Sequence, residues 1–121
     1  MPTVLIVDDS PTELHVFQKM LEKNGFATLL ATDGEEGLEK ARAEHPDIVL
    51  MDVVMPGMNG FQATRRMTRS PETADIPVIM VTTKDQETDK IWGIRQGAAD
   101  YLVKPVSEKE LVAKINAVLA G

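Results

Sequence analysis

The chain predicts a doubly wound α/β fold with five parallel strands, and three observations carry that prediction. Five short apolar runs, Thr3–Val7, Phe26–Ala31, Asp47–Met51, Pro77–Thr82 and Ala99–Val103, alternate with helix-like stretches, which is the pattern of successive βα units. Two of the runs, Val4-Leu5-Ile6-Val7 and Ile48-Val49-Leu50-Met51, are uninterrupted and read as buried strands. The length of 121 residues with 43% apolar content suits one core, so residues 1–121 are expected to form a single domain without an output domain.

Taken in order, the first strand, Thr3–Val7, closes on Asp8-Asp9. The helix after it opens at Ser10-Pro11-Thr12-Glu13, a capping-box pattern with proline at a tolerated first position. It carries Leu14, Phe17, Met20 and Leu21 at helical spacing and closes at Gly25. Phe26–Ala31 follows as the second strand, and Asp47–Met51 as the third closes on Asp52. The fourth strand, Pro77–Thr82, leads into a helix holding Ile91, Trp92 and Ile94, where core packing is expected for Trp92 and a partner-binding anchor is the alternative. Gly97 closes that helix, and the fifth strand, Ala99–Val103, ends on Lys104-Pro105. A second capping-box pattern, Ser107-Glu108-Lys109-Glu110, opens the last helix, whose stripe is Leu111, Ile115, Val118 and Leu119.

Composition removes several function classes. With 13 basic against 19 acidic residues the net charge is −6, which lacks the electrostatic footprint of a nucleic-acid binder. No run is long enough to span a bilayer, and with no cysteine neither a disulfide framework nor a thiolate metal site can form. A reducing cytoplasm is the expected compartment. His15 and His45 each stand alone, without a partner at metal spacing, and are expected at the surface.

What remains is acidic chemistry at one edge. Parallel sheets of this class bind ligands outside the carboxyl ends of their strands. If the first and third strands are neighbours, Asp8, Asp9 and Asp52 converge there. Mutual repulsion would raise at least one carboxylate pKa unless a cation neutralises it, and several hard oxygen donors suit Mg²⁺. Thr82 and Lys104 close the fourth and fifth strands at the same edge, so a hydroxyl and an ammonium stand ready for a phosphoryl group.

These residues resemble the receiver domain of bacterial two-component response regulators. Asp8-Asp9, Asp52, Met55-Pro56-Gly57-Met58-Asn59-Gly60, Thr82 and Lys104-Pro105 occur in the family's order, and the likeness covers the whole chain. The resemblance implies the strand order 2-1-3-4-5 and a phosphoacceptor at Asp52, loaded by the phosphohistidine of a CheA-like histidine kinase. It implies Mg²⁺ held by the side chains of Asp9 and Asp52, by the Val54 carbonyl, and by Asp8 through water. Lys104 would contact the phosphoryl oxygens. Thr82 would move its hydroxyl onto one of them, with Tyr101 swinging into the space left behind as the switch reaches a protein target on the face of the fourth helix, fifth strand and last helix. It also implies a cis Lys104-Pro105 bond.

Thr83 departs from the family's usual Ala or Gly and would narrow access to the phosphoryl group. Val54 and Lys84 stand at positions that tune water attack, and an apolar Val54 cannot orient a water. Thr82–Gly93 and the ending Ile115–Gly121 resemble the stand-alone, monomeric receivers of twitching-motility chemosensory systems that act on type IV pili. A chemotaxis receiver, a phosphorelay intermediate or a phosphate sink would share the site. A haloacid-dehalogenase-type phosphatase needs a second Asp where Val54 stands. A flavodoxin-like binder needs a glycine- and hydroxyl-rich loop where Asp8-Asp9 would repel phosphate.

Overall fold

The computed structural model describes residues 1–121. Its elements run β1 (Thr3–Val7), α1 (Pro11–Lys23), β2 (Ala27–Ala31), α2 (Gly34–Glu44), β3 (Ile48–Met51), α3 (Gly60–Arg69), β4 (Val78–Thr82), α4 (Glu87–Arg95), β5 (Asp100–Val103) and α5 (Glu108–Ala120). All five strands are parallel, in the order β2-β1-β3-β4-β5. The register aligns Val7 with both Ala31 and Met51.

β2 to β5 each begin one residue later than the apolar runs suggest, because the residue at each boundary is tied differently. The Phe26 N–H donates to Leu21 O at 3.0 Å and so belongs to the end of α1. Asp47 accepts the Thr3 N–H on its carboxylate at 2.7 Å and donates its own N–H to Thr3 O at 2.9 Å. Pro77 has no N–H to give and contributes only its carbonyl, to Val49 N at 3.0 Å.

Alternation along the strands divides the core in two. Val4, Ile6, Ile48, Leu50, Ile79, Val81 and Leu102 face α1 and α5, meeting Leu14, Phe17, Leu21, Leu111 and Ile115. Leu5, Val7, Val49, Met51, Val78 and Met80 face the other layer, meeting Leu38, Ala41, Ala63 and Met67 of α2 and α3. Each fully buried Val, Leu, Ile, Phe or Met among them contributes about 1.5–3 kcal/mol. The stripes expected of α1 and α5 are present, with Met20, Val118 and Leu119 packed at the edge of the core.

Neither expected capping box closes fully. Ser10 and Ser107 accept from the N–H of Glu13 and Glu110 at 3.3 and 3.1 Å, but no reciprocal bond from the glutamate accompanies either. At α1 the reason is geometric, since the Ser10 N–H is taken by Asp8 Oδ1 at 2.9 Å. A complete box forms instead at Asn59 and Gln62, opening α3 with bonds of 3.0 and 2.9 Å. Gly25 and Gly97 follow α1 and α4 with φ of 87° and 106°, a conformation glycine adopts without strain.

Trp92 does not pack in the core. α4 turns Gly93 to the sheet, and its neighbours on a helix sit about 100° to either side. Trp92 and Ile94 are therefore 48% and 49% exposed, and Ile91 is 47% exposed.

Candidate functional site

The order β2-β1-β3 makes Asp8 and Asp52 neighbours at the ends of adjacent strands, with the Asp52 N–H on Val7 O at 3.0 Å. Both are buried, while Asp9 is exposed. One carboxylate oxygen from each of Asp8, Asp9 and Asp52 lies within 4.8 Å of the others. Thr82, fully buried, closes β4, and its carbonyl accepts the Lys104 N–H at 2.8 Å, which brings the end of β5 to the same edge. The peptide bond between Lys104 and Pro105 is cis, as the resemblance implied.

Lys104 runs inward to the acids, with its side chain 10% exposed. Its Nζ donates to Asp8 Oδ2 at 2.8 Å and stands 3.7 Å from both Asp52 Oδ2 and Glu13 Oε1. It also lies 5.8 Å from the Phe17 ring centroid, over a face that attracts cations. Burial acts to lower the Lys104 pKa. The Asp8 hydrogen bond and the charges of Asp52, Asp8 and Glu13 outweigh burial and hold the pKa above its ordinary value.

Asp52 is shifted upward as well, and burial is the main cause. Lys104 pulls it down, Asp8 pushes it up, and the Thr82 hydroxyl and Val54 N–H facing it favour its charged form. Repulsion among the acids, the cause expected from sequence, is thus secondary to desolvation. Three carboxylates against one ammonium leave the cluster two charges negative. Hard oxygens in this number and spacing suit a small divalent cation, so the residues fit a metal.

The floor of the site depends on Gly60. Its N–H donates to Val53 O at 2.9 Å, and a Cβ there would lie 2.0 Å from the Asp52 carbonyl oxygen. Val54 stands on the rim, 54% exposed, and Thr83 and Lys84 are exposed beyond Thr82.

Tyr101 is held in an inward position. Its hydroxyl donates to Lys84 O at 2.9 Å, and its ring lies so close to α4 that a Cβ on Gly93 would come within 3.0 Å of Cδ2. Burial, together with Asp89, Asp52 and Asp85, pushes its pKa up to about 12. The hydroxyl therefore stays a donor at neutral pH. The same Lys84 residue offers its N–H to Thr82 Oγ1 at 3.4 Å, so one backbone unit touches both Thr82 and Tyr101.

Sequence reasoning placed Asp8, Asp9, Asp52, Thr82 and Lys104 at one edge, and they are there. It read Glu13 only as a cap, Phe17 only as core, and Gly60 and Gly93 only as parts of longer motifs, so none was assigned to the site. The available signal for Glu13 was its place in the first turn of a helix that starts at the acidic edge. His15 and His45 lie outside the site; His45 is exposed, with Nε2 at 3.1 Å from Asp75 Oδ1.

Residues 4–116 match the response regulator receiver domain family. The chain belongs to that family. Receivers are signalling domains, and this one is 64% identical to Protein PilH of Pseudomonas aeruginosa over all of both chains. It is 37% identical to the alkaline phosphatase synthesis transcriptional regulatory protein PhoP of Bacillus subtilis, where it spans 48% of that longer protein. Among solved structures it is similar to the chemotaxis protein CheY4 of Vibrio cholerae, with a TM-score of 0.92, 32% identity and 98% of each chain covered.

Proposed function

We propose that this receiver is a stand-alone switch of a two-component system, phosphorylated on Asp52 with the help of Mg²⁺. The observation that carries the reading is the meeting of Asp8, Asp9 and Asp52 with Lys104 at one sheet edge. Asp8, Asp9 and Asp52 would hold Mg²⁺ together with the Val54 carbonyl. Bound there, the ion supplies charge neutralisation and orientation of the transferring group.

An Asp52 oxygen attacks the phosphorus of a phosphohistidine on a CheA-like histidine kinase. The P–N bond breaks, and its electron pair returns to the imidazole nitrogen. Lys104, kept cationic by the acids around it, stands beside the Asp52 carboxylate where the phosphoryl oxygens arrive. Thr82 donates to one of those oxygens, and Tyr101 carries the change to a protein target on the face of α4, β5 and α5. Only a bond made in one state and not the other moves such an equilibrium.

The likeness to PilH, which spans all of both chains, supports a role in twitching-motility chemosensory signalling of type IV pili. No helix is long and apolar enough to cross a membrane. The test is labelling by a small-molecule acyl-phosphate donor, read beside phosphorylation-dependent partner binding. Asp52→Asn should abolish labelling, because an amide is not a nucleophile here. Thr82→Ala should keep labelling and lose the partner response. Wild-type labelling of Asp52→Asn removes Asp52 as acceptor, and a full partner response in Thr82→Ala removes Thr82 from the switch.

A further inference from the structure

Glu13 holds a place that a helix cap does not explain. In a closed capping box its carboxylate would accept the Ser10 N–H. Here Asp8 Oδ1 has taken that N–H at 2.9 Å, and Glu13 turns instead to Lys104, with Oε1 at 3.7 Å from Nζ. Lys104 thus has two carboxylates in reach besides Asp52, and they differ in kind. Asp8 is buried and belongs to the acidic cluster, whereas the Glu13 side chain is 40% exposed and lies outside it.

The 2.8 Å bond from Lys104 ties up Asp8 Oδ2, on a carboxylate whose other oxygen is already bonded to the Ser10 N–H. A divalent cation entering among Asp8, Asp9 and Asp52 competes with that ammonium for Asp8. The two positive charges also repel one another across a buried space, where charges are poorly screened. The ammonium needs another anionic partner that keeps it near Asp52.

We infer that Glu13 is a positioning residue for Lys104, the carboxylate that receives its ammonium when a metal ion occupies the Asp8 side of the site. Glu13 stands in the first turn of α1, which fixes its backbone at the edge of the site and leaves its carboxylate within 3.7 Å of the ammonium. The inference rests on the metal reading above and adds to it a route by which one ammonium serves two states.

The experiment is a double-mutant cycle on Mg²⁺ affinity, measured by titration calorimetry on the intact chain for wild type, Glu13→Gln, Lys104→Met and the pair. Glu13→Gln keeps the shape and the backbone cap. It should weaken Mg²⁺ binding roughly tenfold, the lower end for a residue that supports metal ligands from behind. In the Lys104→Met background the same change should have a clearly smaller effect, because there is no ammonium left to relocate. Equal weakening in both backgrounds would mean that Glu13 acts only through its charge, and no weakening in either would mean that it does not act at all; each outcome overturns the proposal. Should Lys104→Met not fold, the Lys104 Nζ resonance decides in the two remaining proteins. It should shift on Mg²⁺ addition in wild type and shift differently in Glu13→Gln, and an identical response refutes the inference. If wild type binds no Mg²⁺, or Asp9→Asn binds it equally well, the metal reading itself fails.

Discussion

The acidic corner where β1 and β3 end and the corner where α4 meets β5 lie along one sheet edge, yet they are built in opposite ways. Every residue of β3, and every residue of β1 but Thr3, is buried, with a packed helix layer on each face. β5 is buried at only one position, Leu102, and α4 buries only Gly93. The first corner can hold Asp8 and Asp52 in one geometry because its surroundings have no room to yield. The second is tied by the Tyr101 ring against Gly93, the Tyr101 hydroxyl on Lys84 O just before α4, and Thr68 Oγ1 on Gln96 O at 2.8 Å just after it. In the proposed reading, the chemistry that needs fixed distances falls on the tightly packed corner and the switch on the sparsely packed one.

Adding one methyl group to each corner tests that contrast most directly, and the largest effect is expected at Gly60. A Cβ there would come 2.0 Å from a backbone oxygen that cannot swing aside. Gly60→Ala should therefore destabilise the fold by about 3 kcal/mol, the upper range for overpacking. Chemical denaturation would measure it, and a loss below about 1 kcal/mol would mean the acidic corner is softer than its packing implies.

An intermediate effect is expected from the charge at the rigid corner. Because burial holds the Asp52 carboxyl above its ordinary range, the folded protein keeps a proton there that the unfolded chain has already lost. Without metal, stability should fall as pH rises from the ordinary carboxylate value through the raised one. Asp52→Asn should then be more stable than wild type at neutral pH, and the difference should close once the pH drops below the ordinary carboxylate range. Mg²⁺ at a hundredfold over its dissociation constant should stabilise wild type by about 2.7 kcal/mol and the variant by less. Denaturation curves at two pH values with and without Mg²⁺ decide this, and a variant less stable than wild type at neutral pH in chelator would contradict it.

The smallest effect on stability is expected at Gly93. Alanine gains about 1 kcal/mol of helix propensity over glycine. Its Cβ is tight only against the Tyr101 ring, at 3.0 and 3.2 Å, which can give way, and meets Met80 Cγ at an ordinary 3.4 Å. Gly93→Ala should leave global stability within about 1 kcal/mol while loosening the Tyr101 bond to Lys84, seen as faster hydrogen exchange in α4. A loss as large as that of Gly60→Ala would erase the distinction between the corners.

The two corners also differ in how far they could be read in advance. Asp8, Asp9, Asp52, Thr82 and Lys104 each follow an apolar run, and the end of a strand is a position sequence can locate. α4 carries Ile91, Trp92 and Ile94 on both sides of Gly93, a pattern that names no buried face. Which side turns inward is set by the neighbours Gly93 meets, Tyr101 of β5 and Met80 of β4. The capping box at α1 stays half closed for a similar reason, since Ser10 and Glu13 have the right spacing but Asp8 competes for the same N–H.

The residues of this chain determined by themselves the five strands, the helix stripes of α1 and α5, and the acids and the lysine that end three of the strands, because these depend on local period and on chain direction. Tertiary structure alone decided that Lys104 bonds Asp8 at 2.8 Å and stands 3.7 Å from Asp52 and Glu13, that Gly60 lies under Asp52, and that Trp92 faces solvent. Those outcomes turn on which of several nearby partners wins a contact, and residues as far apart in sequence as Asp8 and Lys104 compete for one another only after the sheet has brought them together.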